Sequence, residues 1–200
     1  KYKVTTSHMV PTQFHRLLQL PDEIKSKFDC SSTRAMIHAA APCPIHTKQE
    51  MIKWWGNSIW EYYAATEGGG TVVDAESWSK FPGTVGQAWP GADIKIINDD
   101  GSEASMDNQG TVYMKLGEAT KFEYKGDQIK TKKERLVIDD QVYFTVGDIG
   151  YLNDEGYLFL CDRKIDMIIS GGANIYPAEI ESAFLMHPAV ADVAVFGTVS

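Results

Sequence analysis

From Pro82 onward the chain never runs far before a residue cluster that turns it. Pro82-Gly83, Pro90-Gly91, an Asn-Asp-Asp-Gly at 98–101, an Asp-Asn-Gln-Gly at 107–110, Asp139-Asp140 and an Asn-Asp-Glu-Gly at 153–156 follow at short intervals. Proline presets φ, glycine supplies positive φ, and Asn or Asp side chains bond their own backbone, so each cluster is a turn with a mechanism. Between them lie short β-rich runs such as Asp-Ile-Lys-Ile-Ile at 93–97 and Gly-Thr-Val-Tyr-Met at 110–114. Short strands joined by tight turns pair as antiparallel neighbours. The expectation is a small antiparallel barrel or sandwich over residues 76–162, with one helix near 127–134.

Residues 1–75 read differently. An extended piece ends at Pro11, and Thr12 offers a cap to a helix whose Phe14, Leu17 and Leu18 form an apolar stripe. An apolar run at 35–39 suits a buried strand. Ile45, Met51, Ile52 and Trp55 mark an amphipathic helix closed by Gly56-Asn57. A second strand follows at 58–63. Strand, helix and strand with polar or glycine-rich turns is the pattern of a parallel sheet, in which ligands bind beyond the strands' carboxyl ends. The fold class is therefore α/β followed by an antiparallel β subdomain. A third region opens near Asp166: its helix starts at Pro177 with Glu179 and Glu181 in or near the first turn, a face of Ile180, Ala183 and Phe184, and an end at His187-Pro188. Residues 189–196 read as one more strand.

Composition excludes several partners. A net charge of −8 over 200 residues argues against a nucleic-acid or anionic-membrane surface. The basic run at 130–135 is flanked by acids and reads as a solvated helix face. No apolar run reaches the ~18 residues of a membrane span. The three cysteines form no CxxC pair, and their odd number suits a reducing, cytoplasmic compartment. The histidines show no metal-ligand spacing, and His38 between apolar neighbours reads as packed core.

Chemistry-bearing side chains fall at the turns. Thr66-Glu67, after the second strand, puts a hydroxyl and a hard carboxylate where a phosphate and its magnesium ion could be held. Taken alone, the same pair reads more readily as a capped turn opening a helix. Asp148, in Gly147-Asp148-Ile149-Gly150, can accept both hydroxyls of a ribose diol, or simply form an Asx turn. Arg163 comes back beside it if 148–163 is a hairpin; otherwise Asp162-Arg163 is a surface pair. Ser170-Gly171-Gly172 alone is a flexible loop before a helix.

In this order the pieces resemble the AMP-forming acyl-CoA synthetases of the adenylate-forming superfamily. Ala39-Ala40-Ala41-Pro42 is similar to the family's Gly-Ala-Ala-Pro turn, and Tyr63-Ala64-Ala65-Thr66-Glu67 to its Tyr-Gly-x-Thr-Glu motif. Residues 83–91 look like its Gly-x-x-Gly-x-Pro-x-Pro-Gly segment, with Ala88 where proline is usual. Thr145 to Asp148 resembles its Thr-Gly-Asp, Asp162-Arg163 its hinge-proximal pair, and 171–181 its lid signature.

The resemblance implies the following roles. Ala40, Ala41 and Pro42 border the adenine and Tyr63 stacks on it. Thr66 and Glu67 are catalytic, Thr66 on the phosphate and Glu67 as the magnesium ligand. Asp148 and Arg163 hold the ribose, and Gly171 and Gly172 lie near coenzyme A. Ala39, Ala64 and Gly70 line the acyl tunnel, with Ala39 and Ala64 standing where glycine is frequent. Ile165 takes the hinge position usually held by Lys or Asp, where a β-branched residue would stiffen rotation. The implied division is 1–75 as the end of the α/β adenylating subdomain, 76–162 as the barrel-like subdomain, 163–166 as hinge and 167–200 as the start of a lid.

The implied activity is ATP-dependent conversion of a carboxylic, fatty acid to acyl-AMP and transfer to coenzyme A. ATP/AMP, Mg2+ and coenzyme A are the cofactors, and a homodimer is admissible. An aryl-CoA ligase or a carrier-protein-linked adenylation domain is the alternative within enzymes, and a nucleotide-binding module without turnover the alternative outside them. The family's phosphate loop is expected before Lys1 and the lid's catalytic lysine after Ser200, so residues 1–200 alone are expected to be inactive.

Overall fold

A computed structural model describes residues 2–116, 122–171, 173–187, 189–190 and 192–198. The chain forms two compact units, one of Lys1–Tyr63 with Thr71–Gln87 and one of Ala64–Gly70 with Ala88–Ser200.

In the first unit, β1 (Thr6–Met9), β2 (Ala35–His38) and β3 (Ile59–Ala64) pair in parallel, followed in the sheet by β4 (Gly70–Asp74) and β5 (Thr84–Ala88). The helices are α1 (Pro11–Leu18), the single turn α2 (Asp22–Lys25), α3 (Ile45–Trp55) and α4 (Ala75–Lys80). Phe14, Met36, Met51, Ile59 and Ala75 form the core, drawing one residue from each of α1, β2, α3, β3 and α4. Helix α1 begins two residues earlier than expected: Pro11 occupies the first helical position, Val10 precedes it, and Thr12 lies inside the helix rather than capping it. Proline's missing N–H suits that position, and the Gln13 side chain instead accepts from the Val10 N–H at 3.0 Å. Helix α4 is capped by Asp74, which accepts from the Ser77 N–H at 2.7 Å.

The second unit is antiparallel. β6 (Ala92–Ile97) pairs along β7 (Gly110–Leu116), whose other edge meets β10 (Asp148–Leu152) near its start and β9 (Gln141–Phe144) near its end. β8 (Arg135–Ile138) pairs with β9, and β11 (Leu158–Arg163) with β10. The core is Ile94, Ile96, Val112, Met114, Phe144, Ile149 and Leu158. The β8–β9 hairpin closes over Asp139 and Asp140 at φ 48° and 60°, the left-handed pair that a two-residue hairpin requires. Helix α5 (Gln128–Lys133) is capped by Asp127, which accepts from the Lys130 N–H at 2.9 Å, and has no fully buried residue.

Beyond Arg163, a short hairpin of β12 (Ile168–Ser170) and β13 (Ala173–Ile175) precedes α6 (Pro177–Leu185). Gly171 is therefore at a hairpin tip and not in a loop leading directly into the helix; Gly172 lies outside the described residues. The expected buried face of α6 is corrected: Ile180 is half-buried, Ala183 and Phe184 are exposed, and only Pro177 is buried. This helix is attached by its first turn, where the Ala178 N–H donates to Asp162 Oδ2 at 3.0 Å. Among the described residues of 189–196 there is no strand; Val195 N–H bonds the Glu181 carboxylate at 2.8 Å instead of a neighbouring strand. No described helix is long and apolar enough to cross a membrane.

Candidate functional site

The second unit carries the sharpest constellation. The turn between β3 and β4 contains Thr66 and Glu67, and it does not open a helix. Ala65 N–H bonds Gly69 O and Gly68 N–H bonds Ala65 O, both at 3.3 Å, folding the turn on itself. Its glycines meet strand β7: a Cβ on Gly69, which sits at φ +69°, would be 2.7 Å from the Lys115 carbonyl oxygen. Only glycine fits that approach, so the turn is clamped to β7 at Met114 and Lys115. Thr66 is exposed and Glu67 half-buried.

One oxygen of Glu67 is engaged. The Tyr124 hydroxyl donates to Glu67 Oε1 at 2.7 Å. Burial, followed by this hydrogen bond, pushes the Tyr124 phenol up to about 12, so it stays protonated and donates throughout the physiological range. The second oxygen of Glu67 has no hydrogen bond or ion pair among the described residues. No described cluster of three His, Cys, Asp or Glu could hold a metal by itself. One free carboxylate oxygen is nevertheless the donor set of a magnesium ion held jointly with substrate phosphates, which takes one or two protein carboxylates. Glu67 fits that use and not an all-protein cage.

Asp148 and Arg163 come together as the hairpin reading required. They are cross-strand partners in the β10–β11 register, with Arg163 Nε 3.7 Å from Asp148 Oδ1. Asp148 is 8% exposed, whereas the Arg163 side chain is 68% exposed. The Asp148 backbone is set by the preceding turn, in which Gly147 stands at φ +86° and its N–H donates to the buried Thr145 hydroxyl at 3.0 Å. The Lys164 N–H closes on Gly147 O at 2.7 Å. Between Ile149 and Gly150 the register shifts, leaving Cys161 as the extra residue of a bulge. Such a bulge re-aims the side chains at a strand end. Ile149 pairs with Thr111 on β7, and the Glu67 turn is clamped three residues further along that strand. At a strand's rise this places the two carboxylate-bearing features about 10 Å apart along β7, the scale of a nucleotide from ribose to polyphosphate.

Asp162 does not pair with Arg163 as a surface ion pair. Its oxygens accept from the Arg163 N–H at 2.7 Å and from Ala178 at the start of α6. Residues 163–167 then turn tightly, with Asp166 N–H and Met167 N–H both on the Arg163 carbonyl at 3.0 and 3.2 Å. Ile165 lies in this turn with its side chain 88% exposed. Tyr176, ahead of α6, donates to Gln109 at 2.7 Å.

In the first unit, β2 runs out into Ala39, Ala40, Ala41 and Pro42. Ala39 is buried and the next three are exposed. Ala40 holds φ +74°, a left-handed backbone that an alanine adopts only under constraint. Tyr63 is half-buried and Ala64 exposed at the end of β3, and Gly70 is buried at the start of β4.

The first unit also holds a cluster that the sequence reading did not single out. Lys48, fully buried, places Nζ 2.5 Å from Glu61 Oε2 and 4.8 Å from the Trp78 ring centre. His38 pairs with Glu61 in register, its Nε2 3.7 Å from the same oxygen, and neither ring nitrogen has a hydrogen bond among the described residues. Burial, then Lys48, lowers the His38 pKa to about 3, so the ring is neutral. Burial also lowers Lys48 and raises Glu61. A signal existed: Lys48 falls within the apolar stripe of α3, and Glu61 on the core-facing alternation of β3 with Ile59. A charge at a core position of both patterns is an ion pair in waiting.

Comparisons with known proteins found the following likenesses. The family model described as "AMP-binding enzyme" matches residues 1–120. A long-chain-fatty-acid–CoA ligase of Bacillus subtilis is 33% identical over 98% of this chain and 34% of its own length. The long-chain-fatty-acid–CoA ligase FadD13 of Mycobacterium tuberculosis is 35% identical over 98% of this chain and 37% of its own length. The solved o-succinylbenzoate CoA synthetase of Bacillus subtilis, in complex with its acyl-adenylate intermediate, superposes with a TM-score of 0.82 at 28% identity, covering 100% of this chain and 39% of that one. The chain thus spans about a third of the length of the curated relatives it matches.

Proposed function

We propose, for a chain that belongs to the AMP-binding enzyme family of adenylate-forming acyl- and aryl-CoA ligases, that it supplies the nucleotide grip and the start of the lid in a longer, ATP-dependent acyl-CoA ligase. The observation that carries this reading is the Asp148–Arg163 cross-strand pair at a bulged strand end, on the same β scaffold that clamps the Glu67 turn.

In the reaction, a carboxylate oxygen of the acid attacks the α-phosphorus of ATP, pyrophosphate leaves, and acyl-AMP forms. The thiolate of coenzyme A then attacks the acyl carbon and AMP leaves. Asp148 accepts the ribose hydroxyls and Arg163 donates beside them. Glu67 is the protein ligand for magnesium and Thr66 the donor to phosphate; the bound ion supplies charge neutralisation on the phosphate oxygens. Tyr63 and the backbone of Ala40, Ala41 and Pro42 are assigned to adenine on the family resemblance, and Gly171 and Gly172 to the approach of coenzyme A. Residues 163–166 act as the hinge between the adenylating part and a lid beginning at 167. Location in the cytoplasm is consistent with three free cysteines.

The acid is apolar, and a fatty acid is the first choice because both curated ligases named above act on long-chain fatty acids. Ala39, Ala64 and Gly70 would line its tunnel, where one methyl changes preference by about 1–3 kcal/mol. An aryl acid is the second reading, supported by the likeness to the o-succinylbenzoate enzyme. Pyrophosphate release by the full-length enzyme, screened over fatty and aryl acids, decides between them. Thermal stabilisation by ATP or an acyl-AMP mimic tests the nucleotide site itself: it should be present in the full-length enzyme and largely lost in Asp148→Ala. No stabilisation in either protein sinks the proposal.

A further inference from the structure

We propose that Tyr124 is a positioning residue for the metal–nucleotide centre: its hydroxyl holds the Glu67 carboxylate by Oε1 in one rotamer and leaves the second oxygen for the cation. This rests on the assignment of Glu67 as the magnesium ligand. The two residues are 57 positions apart, and each is held by separate supports.

On the Glu67 side, the turn is folded by its own backbone bonds and pressed through Gly68 and Gly69 against Met114 and Lys115. On the Tyr124 side, three contacts fix the ring. Its N–H donates to Thr131 Oγ1 at 2.9 Å, its ring packs edge-to-face on Phe122 at 5.0 Å, and Lys130 Nζ lies 4.1 Å from the ring centre. Thr131 and Lys130 belong to α5, whose cap Asp127 receives bonds from both: the Thr131 hydroxyl on its carbonyl at 2.9 Å and the Lys130 N–H on its carboxylate at 2.9 Å. The short helix α5, which has no fully buried residue, thus serves to aim a tyrosine. A glutamate left free would lose its rotamers on binding a cation, whereas one already held loses little. Outer-shell partners of this kind orient metal-ligating carboxylates.

The test uses the full-length enzyme and Tyr124→Phe, which removes the hydroxyl and keeps the ring. Two quantities are read: Mg2+ affinity, by titration calorimetry of enzyme saturated with a non-hydrolysable ATP analogue, and the Mg2+ concentration giving half-maximal ATP–pyrophosphate exchange. Both should worsen roughly tenfold, with the KM for the acid unchanged and the melting temperature little altered. Glu67→Gln should weaken Mg2+ as well, and adding Tyr124→Phe to it should change nothing more. A lowered melting temperature with unchanged Mg2+ affinity would mean that the bond merely pins a loop, and overturns the inference. So does a Tyr124→Phe effect that persists in full on the Glu67→Gln background. If Glu67→Gln itself leaves Mg2+ affinity unchanged, it is the metal-ligand assignment that fails. Should Tyr124→Phe fail to fold, Thr131→Val, which loosens the tyrosine's anchor, is read on the same scale: weaker Mg2+ binding supports the proposal and unchanged binding overturns it.

Discussion

Among the opposite-charge pairs of the described residues, Lys48–Glu61 in the first unit and Asp148–Arg163 in the second are built for opposite ends. Lys48 and Glu61 are sealed in the first unit at 2.5 Å, under a tryptophan and beside a neutral histidine. Asp148 and Arg163 stand at a strand end in the second unit at 3.7 Å, with most of the guanidinium in solvent. A short, dry pair contributes mainly by not being broken. The long pair leaves the Arg163 side chain 68% exposed and open to a third party. The carboxylates are buried alike, and what separates the two pairs is the cation: Lys48 is sealed and Arg163 exposed.

The largest effect should come from breaking the sealed pair. Lys48→Met leaves the Glu61 carboxylate buried without its partner and should destabilise by about 3–5 kcal/mol. Adding Glu61→Leu removes the orphaned charge and should return most of that loss, as measured by chemical or thermal unfolding of the full-length enzyme. A double variant as unstable as the single would show that the pair is more than a satisfied core.

At the open pair the outcome should invert. Arg163→Ala, which removes the exposed partner, should alter unliganded stability by less than about 1 kcal/mol. Its effect on nucleotide binding should be about 1.5–3 kcal/mol for each charge-assisted hydrogen bond lost. A large drop in unliganded melting temperature would erase the contrast between the pairs.

Next comes a pH dependence. His38 binds its proton at about 3 when folded, against 6.5 as the ordinary value, so below pH 6.5 the unfolded chain takes up a proton that the folded one refuses. Stability from this group is fully present above pH 6.5 and falls by roughly 1 kcal/mol per unit as pH drops toward 3. The raised pKa of Glu61 acts with the opposite sign. The imidazole is therefore isolated as the difference between wild type and His38→Met, which should shrink steadily from pH 7 to 5. A pH-independent difference would place the histidine's role in packing alone.

The smallest effect sits at Ala40. Its positive φ favours glycine by about 1 kcal/mol, so Ala40→Gly should raise the melting temperature by a few degrees. A change of opposite sign would mean that the alanine methyl packs against something that the strain secures.

Much of the second unit was legible because its signals are local. Turn clusters gave the strand boundaries, Asp127 and Pro177 marked two helix starts, and Asp148 and Arg163 faced each other as soon as 148–163 was taken as a hairpin. Errors arose where context overruled a local preference. Pro11 took the first helical position from Thr12's reach, and α6 is held by its first turn rather than by Ala183 and Phe184. Residues 189–196 have the composition of a strand and no described strand partner.

By itself the sequence determined where the chain turns, which side chains stand at those turns, and that their order is that of an adenylate-forming ligase. The first two follow from rules spanning a few residues, and the third from the resemblance to a known family. Only the tertiary structure decided that Lys48, Glu61 and His38 share one dry pocket, that Gly69 presses on Lys115, and that Tyr124 reaches Glu67. Each of these depends on strand register and on pairing between distant segments, and neither is written in any short window of sequence.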